Sequence, residues 1–464
     1  MKKLLAVLLI ITLTFSFPLG FSLKTEGKIK SVEVNEKNFP DTNFRNSLKK
    51  QFTIKNGKLT EEIVSLDLTG VVNFKGLELL IDNCKVDDIN IYNTKSKNIT
   101  IVGSSSKRAL NFYFKKCQIT NITFKNMNVY EIWASKGVSN VIIENHTSKE
   151  GLGVLRGKYN SLLFKNSPKM KEAVIFDPKR LDSLNFEGCN NVNEIDCDCS
   201  DLKKIDTSKL PNLKDITINS NKLDVLDISK NINLTYICIS SKILKTLDVS
   251  NNRKLKYLII NYGLVSKLDL SKNKKLKCLE LNLKNIKKID LKQNIELKEL
   301  FFYKTKIKKL NLKKNKKLKE LSIYHTPLKT INLKKNKKLE ELDIYNIPIK
   351  SINLKKNKKL KRLDCSKNKK LSRLNLKNNK KLHFLFCKNG KLKTLVLPKS
   401  KTEIEVYCDK NRIKKLNVSK TKNLVELSCK HNRIKKLDIS KCKKLKRKKV
   451  KCDKKVRIKK RVNQ

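Results

Sequence analysis

The chain has 464 residues, with 107 Lys and Arg against 43 Asp and Glu, and carries a formal charge of +64. Thirteen Gly and eight Pro exclude collagen-like and Pro-rich chains, and Leu, Ile and Val recurring throughout argue against disorder. The length exceeds the roughly 250–300 residues at which a single core stops growing, and four His amid strong positive self-repulsion are poor material for a metabolite pocket.

The charge excess has two readings. An AT-rich genome inflates Lys, Asn and Ile together, and a large positive field attracts polyanions whatever its origin.

Residues 1–22 read as a signal peptide. Lys2 and Lys3 precede an apolar run from Leu4 to Phe17, Pro18 breaks it, and Gly20 and Ser22 offer small residues for cleavage. This run is too short to span a bilayer, and no second run of about 18 apolar residues follows. Export is the expectation, with the protein secreted or held non-covalently at the cell surface.

Residues 23–71 precede the coils as a separate N-terminal segment, and residues 72–191 carry short alternating runs. Examples are Leu110-Phe112-Phe114, Ile119-Ile122-Phe124 and Leu184-Phe186. These are degenerate coils of a solenoid or a separate β-rich domain. Trp133 lies among them and reads as packed rather than ligand-binding.

From residue 192 to 451 the chain repeats. Three neighbouring stretches are LKELFFYKTKIKKLNLKKNKK from Leu297, LKELSIYHTPLKTINLKKNKK from Leu318 and LEELDIYNIPIKSINLKKNKK from Leu339. The frame holds for eight steps of 21 from Val192 to Leu360, then gains one residue and continues through Leu382 and Leu424. Each unit has two halves with apolar positions two apart, which point to one face of an extended strand. Two short inward-facing strands per turn predict a mainly β solenoid of stacked parallel coils, because one coil cannot bury its apolar side alone. An Asn closes each second half, from Asn231 through Asn315 and Asn336 to Asn379, and predicts a buried ladder satisfying backbone groups.

These units resemble the bacterial leucine-rich-repeat surface proteins, in particular the internalin-like form L-x-x-L-D-C-S-x-N seen in LKRLDCSKNKK from Leu360 and LVELSCKHNRI from Leu424. The stretch from Val34 to Leu68 resembles the helical N-terminal cap of that family. In many relatives this cap resembles a calcium loop. With Gly57 as the loop glycine, Phe52 and Ile54 stand where acidic ligands belong and Ile63 where the bidentate Glu belongs, so no calcium is expected. The resemblance implies a non-catalytic scaffold for protein recognition. No cell-wall sorting signal and no adhesive module is found after the repeats.

Thirteen Cys in an exported chain invite a disulfide reading. Cys365, Cys387, Cys408 and Cys429, however, share one inward position in four consecutive turns. Strands about 4.8 Å apart do not bring Cβ atoms to the 3.5–4.5 Å that a disulfide needs, so a stack of free thiols is expected. Cys197 shares that position, and Cys199 follows two residues on in a weak metal signal. The redox state of Cys84, Cys117, Cys189 and Cys199 stays open, and Cys442 substitutes within the Asn ladder.

No nucleophile with a base is found, the four His fall on different turns, and no cofactor motif occurs. Glu299, Glu320 and Glu341 align one per turn and read as an outward row paired with Lys. Phe301, Tyr303, Tyr324 and Tyr345 make an aromatic strip suited to a protein or glycan partner, or simply to cross-strand stacking. Lys313, Lys314, Lys334, Lys335, Lys355 and Lys356 crowd the turns. From Leu297 to Lys381 there are 29 Lys and Arg against 6 Asp and Glu. At about 4.8 Å per turn this exceeds the charge density of duplex DNA. Residues 452–464 form a basic tail. The expected partner of these edges is an anionic polymer: a teichoic polymer, sulfated glycan or extracellular DNA, not intracellular nucleic acid.

Overall fold

The computed structural model describes residues 29–103, 109–134, 137–149, 151, 154–157, 159–177 and 181–460. The signal-peptide reading lies outside the described residues.

A small cap comes first. Three two-residue strands, Val32–Glu33, Lys58–Leu59 and Ile54–Lys55, pair antiparallel. The turn between the last two passes through Asn56 and Gly57, both at positive φ. Ile63 is buried, and Phe52 and Ile54 pack half-buried against the core. The positions aligned with calcium ligands therefore serve packing.

Helix α1, Thr42–Gln51, starts at Asp41, whose carboxylate accepts from the Phe44 N–H at 3.1 Å. Its other oxygen accepts from Val72 and Asn73 N–H groups, both at 3.0 Å, and so ties the cap to the first coil. Phe44 and Leu48 face inward and close the end of the core. Helix α2, Leu77–Cys84, buries Leu77, Leu80, Ile81 and Cys84. Gly76 before it sits at φ 97°, where a side chain would meet the Asn38 carbonyl. Among the described residues neither helix is long and apolar enough to cross a membrane.

The rest is a parallel solenoid. One sheet of nineteen strands runs from Ser65–Thr69 to Val450–Lys451. It is an open ribbon: residues 65–69 are in register with 88–92 and residues 450–451 with 427–428, and no register joins the two ends. In the regular repeats the step is 21, with Leu300, Leu321 and Leu342 in register and fully buried. Such burial contributes about 1.5–3 kcal/mol per Leu. The added residue lies between Asn368 and Asn379, because the Ile347–Asn368 bond spans 21 residues and the Asn357–Asn379 bond spans 22.

A second parallel sheet of six strands, from Lys95–Val102 to Lys204–Ile205, lines the opposite wall of the early coils. Strands in the stretch 72–191 alternate between the two sheets, and Phe112, Phe124, Phe164 and Phe186 fill the space between.

The expectation of two strands per turn is corrected for residues 206–372, where only the first half forms a strand. In the second half the contact between neighbouring coils thins to single backbone bonds, such as Lys306 to Ile286 at 2.9 Å. The Asn side chains replace the missing ladder. Asn252, Asn273, Asn294, Asn315, Asn336, Asn357 and Asn379 are buried, and each donates its amide to two backbone carbonyls of the preceding coil. Cys442 stands in the same column, its thiol 3.5 Å from the Val418 carbonyl. Arg457–Lys459, in the basic tail, pairs in parallel with Lys436–Asp438.

Candidate functional site: the outward face of the long sheet

Strand alternation puts Leu300 and Phe302 inside and Glu299, Phe301 and Tyr303 outside. The same register carries through Glu320–Tyr324 and Glu341–Tyr345. Tyr303 stacks on Tyr324 with ring centres 5.1 Å apart and planes at 16°, and Tyr345 follows at 5.8 Å. The predicted strip therefore exists as a column of rings. Its members are half-buried rather than exposed, since each ring covers its neighbour. The Tyr324 hydroxyl donates to Asp343 at 3.1 Å. Burial, with Asp343 beside it, raises the Tyr324 pKa; Tyr303 is raised by burial and by Glu280 and Glu320. Both rings stay neutral hydrogen-bond donors.

The glutamate row is corrected. Glu299, Glu320 and Glu341 stack in register along one column, and none takes part in an ion pair among the described residues. The lysines sit on the turns, whereas the in-register neighbours of Glu320 are Glu299 and Glu341. Burial, aided by those two carboxylates, pushes the Glu320 pKa up to about 7. Glu280, one strand earlier, is raised by burial, and a Glu299 oxygen is buried without a hydrogen-bond partner. Across the four strands from Cys278 to Tyr345, the twelve outward residues include five carboxylates and no Lys or Arg.

Cations return further along. Arg362 meets Asp343 at 3.4 Å and lies over the Phe386 ring at 5.0 Å. Lys388 meets Asp409 at 3.6 Å and lies over Tyr407 at 4.6 Å. Near the cap, Arg156 meets Glu131 at 3.3 Å. There, Tyr92, Tyr113 and Trp133 line an open cleft. Trp133 is half-buried on the outward face, not packed into the core.

Lys313, Lys314, Lys334, Lys335, Lys355 and Lys356 are all exposed, in pairs just before the ladder residues Asn315, Asn336 and Asn357. They form rows along the solenoid edge, away from the sheet face. The edge carboxylates pair with other lysines, as Glu296 does with Lys317 and Glu340 with Lys361.

Inside, Cys365, Cys387, Cys408 and Cys429 are buried free thiols in consecutive turns. Burial pushes the Cys429 pKa up to about 12 and raises Cys408; Cys387 is raised by its hydrogen bond with Cys365 and by burial. Cys84, Cys117 and Cys189 are free and buried as well. Cys197 and Cys199 form a disulfide: being two apart, both side chains point inward from one strand. Among the described residues no group of three or more His, Cys, Asp or Glu is placed to hold a metal.

A solved structure shares this architecture. The functional domain of InlJ from Listeria monocytogenes, which includes a cysteine ladder, aligns with a TM-score of 0.51 and 20% identity over 91% of this chain and 80% of that one. The chain has the leucine-rich-repeat fold of the bacterial internalins. A leucine-rich-repeat protein of Leptospira interrogans aligns with a TM-score of 0.43 and 20% identity over 61% of this chain and 85% of that one. An internalin, InlF, of L. monocytogenes aligns with a TM-score of 0.40 and 17% identity over 92% and 97%. No protein-family model and no curated protein sequence matches the chain. The thiol column was readable from sequence spacing. The lack of Lys among the nine outward positions from Glu299 to Tyr345 was readable in the same way; the burial that raises the Glu320 pKa was not.

Proposed function

We propose that this is an exported, non-catalytic bacterial binding protein that recognises a protein partner through the outward sheet face. The observation that carries this reading is the segregation of charge. On a chain of +64, the four strands from Cys278 to Tyr345 present rings and carboxylates and no cation. A rigid sheet lined with half-buried aromatic rings suits recognition, since aromatic anchors supply much of an interface's energy at little entropic cost.

The lysine edges favour a second, compatible role. Exposed pairs at Lys313-Lys314, Lys334-Lys335 and Lys355-Lys356 would hold the protein to an anionic polymer by counterion release, leaving the sheet face free.

Panning a random peptide-display library against the full chain tests the main reading. Enriched peptides should lose binding to a Tyr303→Ser, Tyr324→Ser, Tyr345→Ser variant and keep it when Lys334, Lys335, Lys355 and Lys356 are replaced by Gln. Peptides indifferent to the tyrosines, or dependent only on the lysines, would overturn it.

A further inference from the structure

Cations of this chain lie between carboxylates and rings on two parts of the outward face. Arg362 bridges Asp343 and the Phe386 ring, and Lys388 bridges Asp409 and the Tyr407 ring. Near the cap Arg156 neutralises Glu131, whose carboxyl lies beside Tyr113. Such a niche suits a guanidinium or ammonium, which gains from the carboxylate charge and from the ring face together.

The three strands from Cys278 to Tyr324 repeat the carboxylate and ring parts without the cation, whereas Arg362 reaches Asp343 and Lys367 lies over the Tyr345 ring on the fourth. Glu280 and Glu320 lie near Tyr303, and Glu299 and Glu341 flank Glu320 in register. Stacked like charges destabilise a sheet. A chain with 107 Lys and Arg nevertheless places none of them among the outward residues of these strands. Codon drift towards Lys would fill outward positions as readily as turns, so it does not account for this distribution.

We infer that the central sheet face, Glu280, Glu299, Glu320 and Glu341 beside Tyr303 and Tyr324, docks a Lys- or Arg-rich segment of a partner protein. The inference rests on the sheet-face reading above and adds the chemistry of the occupant. The partner's cations take the position that Arg362 takes at Asp343, one per coil along the glutamate column. A residue-to-residue advance of about 3.3 Å along an extended segment lets alternate side chains reach carboxylates in neighbouring coils about 4.8 Å apart when the segment crosses obliquely. The positive field of the rest of the molecule opposes approach of a free cation, so a partner held by rings and backbone as well is favoured over a small polyamine.

The test uses the full chain and a fluorescent peptide of alternating Arg and Ser, with its citrulline counterpart as the uncharged control. Anisotropy should show binding of the Arg peptide only. Glu299→Gln, Glu320→Gln and Glu341→Gln together should weaken it by roughly tenfold or more. The same charge change at Glu296→Gln, Glu340→Gln and Glu403→Gln, carboxylates that already pair with Lys317, Lys361 and Lys444, should leave it unchanged. Glu320→Arg, which supplies the missing cation from the chain itself, should abolish binding while keeping a cooperative melt, and so separates blocking from misfolding. Binding should also rise between pH 6 and 8 as Glu320 ionises.

Absence of Arg-peptide binding, equal loss in the Glu296, Glu340 and Glu403 variant, or equal capture of spermine would overturn the inference. So would concentration-dependent self-association lost in the sheet-face variant, because the occupant would then be a second copy. Peptides enriched by panning that depend on the tyrosines but lack Lys and Arg would sink this inference and leave the sheet-face reading standing.

Discussion

Asn336 donates its side-chain amide to the backbone carbonyl of Asn315, one coil earlier, at 2.8 Å, and to that of Leu312 at 3.1 Å. The second halves of the coils around Asn336 form no strand, so this amide takes over part of the work of a backbone. Asn336→Ala removes two buried hydrogen bonds and leaves two carbonyls short of a donor. The expected loss is about 2–4 kcal/mol, read from a denaturant midpoint. Asn336→Asp should be worse, because it replaces the donor with a buried charge. A loss below about 0.5 kcal/mol for both variants would mean that water reaches the ladder.

Cys365, Cys387, Cys408 and Cys429 should remain unmodified by a thiol reagent in the native protein and react fully once it is unfolded. All four are buried, and the raised pKa values of Cys387, Cys408 and Cys429 leave little thiolate there at neutral pH. Mass spectrometry that finds native disulfides among these four would contradict the packing described here. The Cys197–Cys199 pair should instead resist alkylation until reduced.

Glu320 sets a pH dependence of definite sign. Its folded pKa, about 7, lies above its ordinary value of 4.5, so the native state holds a proton that the unfolded state has lost. Stability therefore falls as pH rises between about 4.5 and 7, and the cost is fully present above pH 7. Glu320→Gln should raise stability at pH 8 by on the order of 1 kcal/mol, allowing for screening of a partly exposed carboxyl, and change little at pH 4. Thermal melts of both proteins across this range check it. Stabilisation that is equal at both pH values would mean that charge is not the cause.

Replacing Lys334, Lys335, Lys355 and Lys356 by Gln should weaken binding to a heparin-type or teichoic polymer. The log–log salt slope should flatten by up to about 0.9 per lysine lost. These side chains are exposed, so the melting temperature should barely move. Undetectable polymer binding at physiological salt, or an unchanged slope, would leave codon drift as the source of the lysine excess.

The sequence by itself determined the period, the inward positions and the Asn column. A frame of 21 repeated from Val192 to Leu360 admits one stacking, in which equivalent residues lie on one another. It likewise determined that Cys365 and Cys387 are neighbours and that Lys334 and Lys335 fall on a turn. The tertiary structure decided what depends on distances across the coil. In residues 206–372 the second half of the repeat fits strand alternation as well as the first, yet it forms no strand there, whereas Arg373–Asn375 and Thr394–Val396 do pair, and only coordinates separate the two cases. Arg362 bridging Asp343 and Phe386 joins residues 19 and 24 positions away, across two strand boundaries. Charge on a folded surface acts through space, and the order of residues along a chain records it only after the register is known.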